Sequence, residues 1–190
     1  MSTGNSKNHR TSKSSYEKNS LGLIQIYTGD GKGKTTAALG LALRAYLHGF
    51  KVAFVQFMKG TRYGEDKIPK MLPGFHFEKF GRKEFVDPKN PNPKDIEEAR
   101  KAFNRCKELA FSGNFDLIVM DEINVAMDFG LISVDEVLSF LKNRPPNVEL
   151  VLTGRYAPKP VVEIADLVSE IKEVKHPYTK GIPARRGIEY

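Results

Sequence analysis

The sequence predicts an α/β fold in three layers, with a mostly parallel β-sheet and helices on both of its faces. Two observations lead to this prediction: strand-like segments alternate with helix-like segments along the chain, and several of the strand-like segments are almost entirely apolar. Apolar strands of this kind are typical of a parallel sheet that is covered on both sides. Right-handed crossovers between such strands place the loops that follow them along one edge, where we expect the functional residues.

The strands are predicted from short apolar runs that are bounded by glycine, proline or polar residues. They are residues 22–28, 51–57, 75–80, 115–120, 148–153 and 168–174. Three of the helices are predicted over residues 34–48, 133–142 and 158–167. Gly49 is placed to end the first of these helices, and Ser133 with Glu136 has the spacing of a capping box. Residues 58–74 are predicted as a loop.

A longer helix is predicted to begin at Pro93. Asn92 can accept a hydrogen bond as the N-cap, and proline suits the first helical position. The apolar stripe of this helix, at helical spacing, consists of Ile96, Ala99, Phe103, Cys106 and Ala110. Cys106 is therefore interpreted as a core residue rather than a nucleophile.

Length and composition narrow the class of protein. A chain of 190 residues favours one domain, and 40% hydrophobic with 28% charged residues is close to a globular average. The single cysteine excludes an internal disulfide and a zinc site built from cysteines. No apolar run approaches the roughly 20 residues that span a bilayer, and the N-terminus lacks the apolar segment of a secretory signal. We therefore expect a cytoplasmic protein with no membrane partner.

The charge is strongly basic. The formal net charge is +7, from 30 basic and 23 acidic residues, which suits a polyanionic partner but also fits a merely soluble protein. Residues 1–20 contain four Lys/Arg, one Glu and no Val, Ile, Leu or Phe. That composition predicts a segment that is disordered when free, either an inert tail or a lid that folds over a ligand or a partner. Residues 21–190 are predicted to be the single folded domain.

The strongest functional signal is the segment 28–36, TGDGKGKTT, which follows a predicted strand and opens a predicted helix. Glycines in this setting let backbone N–H groups converge on phosphate oxygens, and the helix N-terminus adds positive potential. Lys34 supplies a point charge, and the Thr35 hydroxyl can bind Mg²⁺. The usual pattern is G-x-x-x-x-G-K-[ST], so a loop that begins at Gly29 and reaches its last glycine at Gly33 is one residue short.

Two further signals follow other predicted strands. Asp121 and Glu122 come after four apolar residues, where one carboxylate of a P-loop protein reaches the Mg²⁺ on the phosphates. This strand is expected to lie beside the first one. Arg155 follows the strand 148–153, where its guanidinium can reach a phosphate, although it can equally be a surface arginine. The basic residues between 172 and 186 are interpreted as a solvated tail.

These features predict a P-loop NTPase-like fold with a magnesium–nucleotide site, and they leave the reaction open. A small P-loop kinase would need a lid with arginines and an acceptor site, neither of which is evident in the sequence. A nucleic-acid-binding ATPase of the recombinase type is compatible with the charge. However, the basic residues are scattered and no aromatic–basic stacking module is evident, so no nucleic-acid partner is expected.

Taken together, the ordered segments closely resemble the P-loop type of ATP:corrinoid adenosyltransferase. The segments that carry the resemblance are TGDGKGKTTAALGLALRA, VQFMKG, VMDEINVAMDFGLI, LTGRYAP, ADLVSEI and VKHPYTKGIPARRGIEY. The resemblance covers residues 22–190 and includes the short phosphate loop. It implies transfer of the 5′-deoxyadenosyl group of ATP to the Co(I) centre of a corrinoid, with release of triphosphate, in adenosylcobalamin synthesis or salvage. The corrinoid supplies the nucleophile, so the protein needs none.

The resemblance also assigns roles to residues. Those assigned to ATP are Gly29, Asp30, Gly31, Lys32, Gly33, Lys34, Thr35, Thr36 and Arg155. Lys34 and Glu122 would be catalytic. Thr35, Glu122 and Asp121 would contact Mg²⁺, for which Mn²⁺ is an alternative.

Further implications of the resemblance concern the corrinoid and the partners. Family members can place bulky aromatic side chains beneath the corrin ring, and Phe80 and Phe85 are the candidates in this chain, although both can also belong to the core. The corrinoid would be cobalamin, cobinamide or a relative, reduced by an electron-donating flavoprotein. A homodimer is implied, with the N-terminal segment as a lid over the site.

Overall fold

The computed structural model describes residues 20–61 and 63–190, which contain a six-stranded sheet whose strands are all parallel. The strands are β1 (Ile24–Thr28), β2 (Val52–Gln56), β3 (His76–Lys79), β4 (Leu117–Asp121), β5 (Glu149–Thr153) and β6 (Leu167–Glu170). Every predicted strand is present, although the last ends at Glu170 rather than at residue 174. The prediction of a tail or lid over residues 1–20 lies, apart from Ser20, outside the described residues.

The order of the strands in the sheet is β3-β2-β4-β5-β1-β6. The expectation that the strand of the acidic pair lies beside the first strand is therefore wrong. β1 pairs with β5 on one side and with β6 on the other, and β4 pairs with β2 and β5. The four central strands are apolar over most of their length, so their composition does not distinguish one pairing partner from another. As a consequence, the end of β5 lies between the phosphate loop and the acidic pair.

The helices are α1 (Lys34–Leu47), α2 (Ile68–Met71), α3 (Pro93–Phe111), α4 (Ile123–Asp128), α5 (Val134–Asn143) and α6 (Lys159–Glu163), with 3₁₀ turns at Gly64–Lys67 and Pro177–Lys180. The short helices α2 and α4 were not predicted, because a run of so few residues shows no apolar periodicity. The last helix is shorter than its predicted range. In the described part of the chain, no helix combines the length and the apolar character needed to cross a membrane.

The residues at the helix ends follow two of the three predicted patterns. The Asn92 side chain accepts a hydrogen bond from the Lys94 N–H at 3.0 Å, as an N-cap does. Gly49 has φ 80° and donates its N–H to the Tyr46 carbonyl at 2.7 Å, closing α1. The predicted capping box at Ser133 is wrong, because that side chain makes no capping hydrogen bond at the start of α5.

Two hydrophobic clusters cover the two faces of the sheet. Alternate residues of β2 separate between them: Ala53 and Val55 face one cluster, whereas Val52 and Phe54 face the other. α3 packs on the first face through its predicted stripe, and α1 packs on the second. Cys106 is fully buried, and burial raises the pKa of its thiol far above the ordinary value. Its interpretation as a core residue is confirmed.

Candidate functional site

Polar side chains end neighbouring strands at one edge of the sheet. They are Thr28 of β1, Gln56 of β2, Asp121 of β4 and Thr153 of β5. Beyond this edge lies a first cavity of 470 Å³, lined by the phosphate loop, Glu122 and Arg155 among other residues. The fold thus brings together the three motifs that are far apart in the sequence.

The phosphate loop joins β1 to α1 through glycines that no other residue could replace without strain. Gly29 and Gly33 have φ values of 96° and 124°, in the region that favours glycine. A Cβ atom on Gly29 would lie 2.5 Å from the Ile171 carbonyl oxygen. The Gly31 N–H donates to that same oxygen at 2.7 Å, so this amide is engaged by the chain rather than free for a phosphate.

Lys34 lies at the start of α1 with its side chain folded into the loop. Its ammonium donates to the carbonyl oxygens of Gly29 and Gly31, both at 2.7 Å, and the residue is only 8% exposed. Burial lowers the pKa of Lys34, while the nearby Glu122 carboxylate opposes that shift. The charge is therefore held at the loop in advance of any ligand.

Asp121 is a fully buried carboxylate with three hydrogen-bond donors. Its Oδ1 accepts from the Thr153 hydroxyl at 2.6 Å and from the Thr35 hydroxyl at 2.9 Å, and its Oδ2 accepts from Gln56 Nε2 at 3.0 Å. Burial raises the pKa of Asp121, and the hydrogen bond from Thr153 acts in the opposite direction. Asp121 thereby links β2, β4 and β5 to the phosphate loop.

Glu122 differs from Asp121 because it lines the cavity instead of lying beneath it. Its backbone has φ 68°, a left-handed conformation that is unusual for a residue with a side chain. The Glu122 N–H donates to the Thr153 hydroxyl oxygen at 3.0 Å, which helps to hold this turn. Burial, and secondly the charge of Asp121, raise the pKa of Glu122. Strained backbone and a perturbed carboxylate together are typical of functional sites.

Other predicted nucleotide residues surround the same cavity. Arg155 donates from Nη2 to the Asp30 carbonyl oxygen at 3.1 Å and is otherwise exposed. Thr36 lies on the cavity wall one residue beyond Thr35. All of the residues predicted to bind ATP, from Gly29 to Thr36 with Arg155, are therefore collected around one edge of the sheet.

The C-terminal segment 187–190 also lines the first cavity. Glu189 Oε1 accepts a hydrogen bond from the Lys32 ammonium at 2.7 Å, and the Glu189 carboxylate also accepts from the Arg185 N–H at 2.7 Å. The Arg185 side chain and then Lys32 lower the pKa of Glu189 to about 2. The lysines and arginines between 172 and 186 are exposed, as predicted for a solvated tail, and the exposed Arg185 guanidinium pairs with this carboxylate.

A second cavity of 380 Å³ adjoins the first, and both are lined by Lys59, Tyr63 and Glu122. Phe85, one of the two predicted corrinoid residues, lines this second cavity and is fully exposed. Phe80 is partly buried and packs against the hydrophobic core. The two phenylalanines therefore occupy different environments.

Sequence reasoning missed several residues of the site: Gln56, Lys59, Tyr63, Thr153 and Glu189. A signal exists for Gln56 and Thr153, because each is a polar residue that directly follows three or four apolar residues at the end of its strand. For Lys59, Tyr63 and Glu189 the residue types alone give no such signal, although Lys59 and Glu189 lie in segments that carry the family resemblance. Their place at the site depends on how distant segments pack.

The oxygen atoms at this site suit a hard divalent cation. The Thr35 hydroxyl and the Asp121 carboxylate are 2.9 Å apart, and Glu122 lines the adjoining wall. Among residues 20–61 and 63–190, no group of three His, Cys, Asp or Glu side chains could hold a metal ion unaided. The Thr35 hydroxyl with the two nearby carboxylates is a donor set that could hold Mg²⁺, which is usually bound by one or two carboxylates together with substrate phosphates.

Comparison with known proteins adds independent information. Residues 20–190 match the family described as ATP:corrinoid adenosyltransferase BtuR/CobO/CobP. A corrinoid adenosyltransferase of Sinorhizobium sp is 39% identical over 173 residues, which cover 89% of this chain and 80% of that protein. A corrinoid adenosyltransferase of Escherichia coli K12 is 34% identical over 169 residues, 89% of this chain and 86% of that protein. The corrinoid adenosyltransferase CobA of Salmonella typhimurium is 33% identical over the same proportions.

Proposed function

The chain belongs to the ATP:corrinoid adenosyltransferase family and is an enzyme of the transferase class, and we propose that its two cavities bind the two substrates side by side. The observation that supports this arrangement is the shared wall of Lys59, Tyr63 and Glu122. A reaction between two bound molecules requires their reacting atoms to approach within a few ångströms, which adjoining cavities permit. ATP would occupy the first cavity, and the corrinoid would occupy the second.

The triphosphate of ATP would lie against the phosphate loop. Lys34 is already oriented there, and Lys32 and Arg155 add two further cations at the cavity wall. Because the Gly31 amide is engaged with Ile171, the remaining loop amides and these side chains would provide the contacts to phosphate. Charge-assisted hydrogen bonds of this kind are about twice as strong as neutral ones.

Mg²⁺ would be held by the Thr35 hydroxyl and by Glu122, with Asp121 beneath them as a supporting carboxylate. When bound, the ion supplies positive charge at the triphosphate oxygens. The chain itself holds the Thr35 hydroxyl in place through Asp121, whose own position is set by Thr153 and Gln56. Mn²⁺ prefers the same oxygen ligands and is an alternative.

The reaction would join Co(I) of the corrinoid to C5′ of ATP, while the C5′–O5′ bond breaks and its electron pair leaves with the triphosphate. No protein nucleophile is needed for this step, because the corrinoid supplies the electrons. The tasks of the chain are to orient C5′ toward the second cavity and to stabilise the departing anion. Phe85, exposed on the wall of the second cavity, would contact the corrinoid.

Partners and location extend the proposal. Cobalamin, cobinamide or a related corrinoid would be the acceptor, and a flavoprotein would deliver the electron that generates Co(I). A homodimer in the cytoplasm is proposed from the family resemblance and from the composition, which includes a single buried cysteine.

The test is an anaerobic reaction of the purified protein with chemically reduced cobalamin, ATP and Mg²⁺. We expect a light-sensitive alkylated corrinoid and triphosphate in a one-to-one ratio, measured by absorbance and phosphorus NMR. Without corrinoid, almost no phosphate should be released from ATP. If ADP accumulates while the corrinoid stays unalkylated, the result would instead support a kinase.

A further inference from the structure

Lys59 lies where the two cavities meet. Other cations line one cavity each: Lys32, Lys34 and Arg155 line the first, and Arg82 and Lys83 line the second. In the part of the chain that the structure describes, Lys59 is the one cation on the walls of both. Its ammonium lies over the Tyr63 ring, 4.9 Å from the ring centroid.

The backbone that carries Lys59 is held in a confined position. The preceding residue, Met58, has φ 55°, which is unusual for a residue with a side chain. The Lys59 N–H donates to the Phe80 carbonyl oxygen at 2.9 Å, so the chain stays paired beyond the ends of β2 and β3. A Cβ atom on Gly60 would lie 2.1 Å from the Arg82 carbonyl group. A Cβ atom on Gly81 would lie 2.6 Å from the backbone nitrogen of Lys59. This close approach locates the lysine at the junction.

The proposed reaction develops negative charge at that junction. As the Co–C5′ bond forms and the C5′–O5′ bond breaks, the electron pair moves onto O5′ of the α-phosphate. Lys34 is enclosed by the carbonyl groups of the phosphate loop, whereas C5′ has to face the second cavity. A cation that touches both cavities is better placed than Lys34 to meet the oxygen that leaves C5′.

We propose that Lys59 is a catalytic residue, whose ammonium neutralises the charge that grows on the α-phosphate as triphosphate departs from C5′. This inference rests on the proposed function and assigns a group to its bond-breaking step. Donors aimed at developing charge typically contribute about 100-fold to 1000-fold in rate. Because the charge grows only during the reaction, the contribution should appear in the rate at saturating ATP more than in the affinity for ATP.

The experiment compares Lys59→Met, Lys59→Arg and the control Lys51→Met with the wild type. Lys51 is exposed and precedes the opposite end of β2, away from both cavities. The dissociation constant of Mg-ATP is measured by calorimetry without corrinoid, and the anaerobic single-turnover rate is measured at saturating ATP and Co(I) cobalamin. We expect Lys59→Met to lower the rate at least about 100-fold and to weaken ATP binding less than about tenfold. Lys59→Arg should keep at least about a tenth of the rate, because it retains the charge.

Two outcomes would overturn the proposal. A rate for Lys59→Met within about threefold of the wild type would show that the charge is not used. Burial raises the pKa of Asp121 and Glu122 and the Lys59 charge opposes that rise, so a Lys59→Met rate that recovers as the pH is raised would show an indirect role through those carboxylates. Failure of the wild type itself to alkylate cobalamin would refute the proposed function instead. The comparison of variants is read only against an active wild type.

Discussion

The two adjoining cavities differ in how much of their structure exists before a ligand arrives. At the first cavity, Lys34 on the wall and Asp121 beneath it are buried and already paired within the chain. In the second cavity, the Phe85 side chain projects fully into solvent. The contrast indicates that the first cavity is preorganised for a small, highly charged ligand. Under the proposed function, the exposed wall of the second cavity would be covered only when the corrinoid binds.

This contrast has an energetic reason. Hydrogen bonds and charge pairs stabilise a transition state only if their partners are held in place, which requires a buried and connected network. Apolar contact with a large flat ligand needs exposed area more than fixed geometry. Substitutions of the buried, connected groups of the first cavity should therefore change the rate, and those in the second should change the affinity for corrinoid.

The largest effect is expected for Lys34→Ala. Loss of its ammonium removes a charge-assisted contact to the triphosphate, so turnover at saturating ATP should fall on the order of 100-fold to 1000-fold. Lys70→Ala, an exposed lysine of α2, is the matched control and should leave turnover unchanged. Near-normal turnover of Lys34→Ala in an anaerobic adenosylation assay would contradict the assignment of the phosphate loop.

Glu122→Gln is expected to have two effects, one on turnover and one on stability, of which the effect on turnover is smaller than that of Lys34→Ala. Turnover should fall roughly 100-fold, because the substitution removes a carboxylate from the proposed Mg²⁺ contacts. Stability should increase by about 0.5–2 kcal/mol near neutral pH, because the carboxylate is desolvated in the folded state. Thermal unfolding and the same adenosylation assay measure the two effects.

The pH dependence gives the sign of the Glu122 effect. Because the pKa of Glu122 is raised on folding, the folded protein binds more protons than the unfolded chain at pH values between the ordinary and the raised carboxyl pKa. Ionised Glu122 therefore lowers the free energy of unfolding at high pH. The gain in stability from Glu122→Gln should shrink as the pH falls through the raised pKa. An advantage that grows on acidification would refute this account. Glu136→Gln, at an exposed position of α5, is the control.

Phe85→Ala should act on the other cavity. The KM for corrinoid should rise about tenfold, since covering a phenylalanine contributes about 1.5–3 kcal/mol and only part of that would be lost. The dissociation constant of ATP should not change, and unfolding should shift by less than about 0.5 kcal/mol, because the side chain is exposed. Leu47→Ala, exposed at the end of α1, is the control. A loss of ATP affinity in Phe85→Ala would show that the cavities are not separate.

The smallest effect is expected for Glu189→Gln. Its ion pair with Lys32 joins the C-terminal segment to the phosphate loop at the wall of the first cavity, and a pair at the surface contributes little. The KM for ATP should rise about threefold with no change in kcat, as steady-state kinetics would show. Glu163→Gln removes an exposed pair with Lys159 outside the cavity and should have no effect. A fall in KM would mean that the Glu189 carboxylate mainly repels the triphosphate.

Several parts of the site and of the fold could be predicted from short stretches of sequence. The glycines and Lys34 of the phosphate loop form a local pattern, because strand, turn and helix follow one another directly. The N-cap at Asn92 and the buried stripe of α3 depend on residues within a few positions of each other. Features that depend only on residues close together in the sequence can be found without knowledge of the packing.

Long-range contacts were beyond such reasoning. The order of the strands places Thr153 between the phosphate loop and Asp121. The apolar composition of the strands does not predict which strands pair with each other. Lys32 and Glu189 are 157 positions apart and are joined by an ion pair. Lys59 lies at the junction because the chain after β2 packs closely on the chain after β3.

The amino-acid order was sufficient to specify the α/β class, the phosphate loop and the family to which the chain belongs. Each of these depends on residue types at short spacing, or on their succession along the chain. Packing determined which carboxylate is buried, which of the two phenylalanines is exposed, and which lysine meets both cavities. Burial and proximity arise when distant segments exclude water from between them, and no local pattern of residues contains that information.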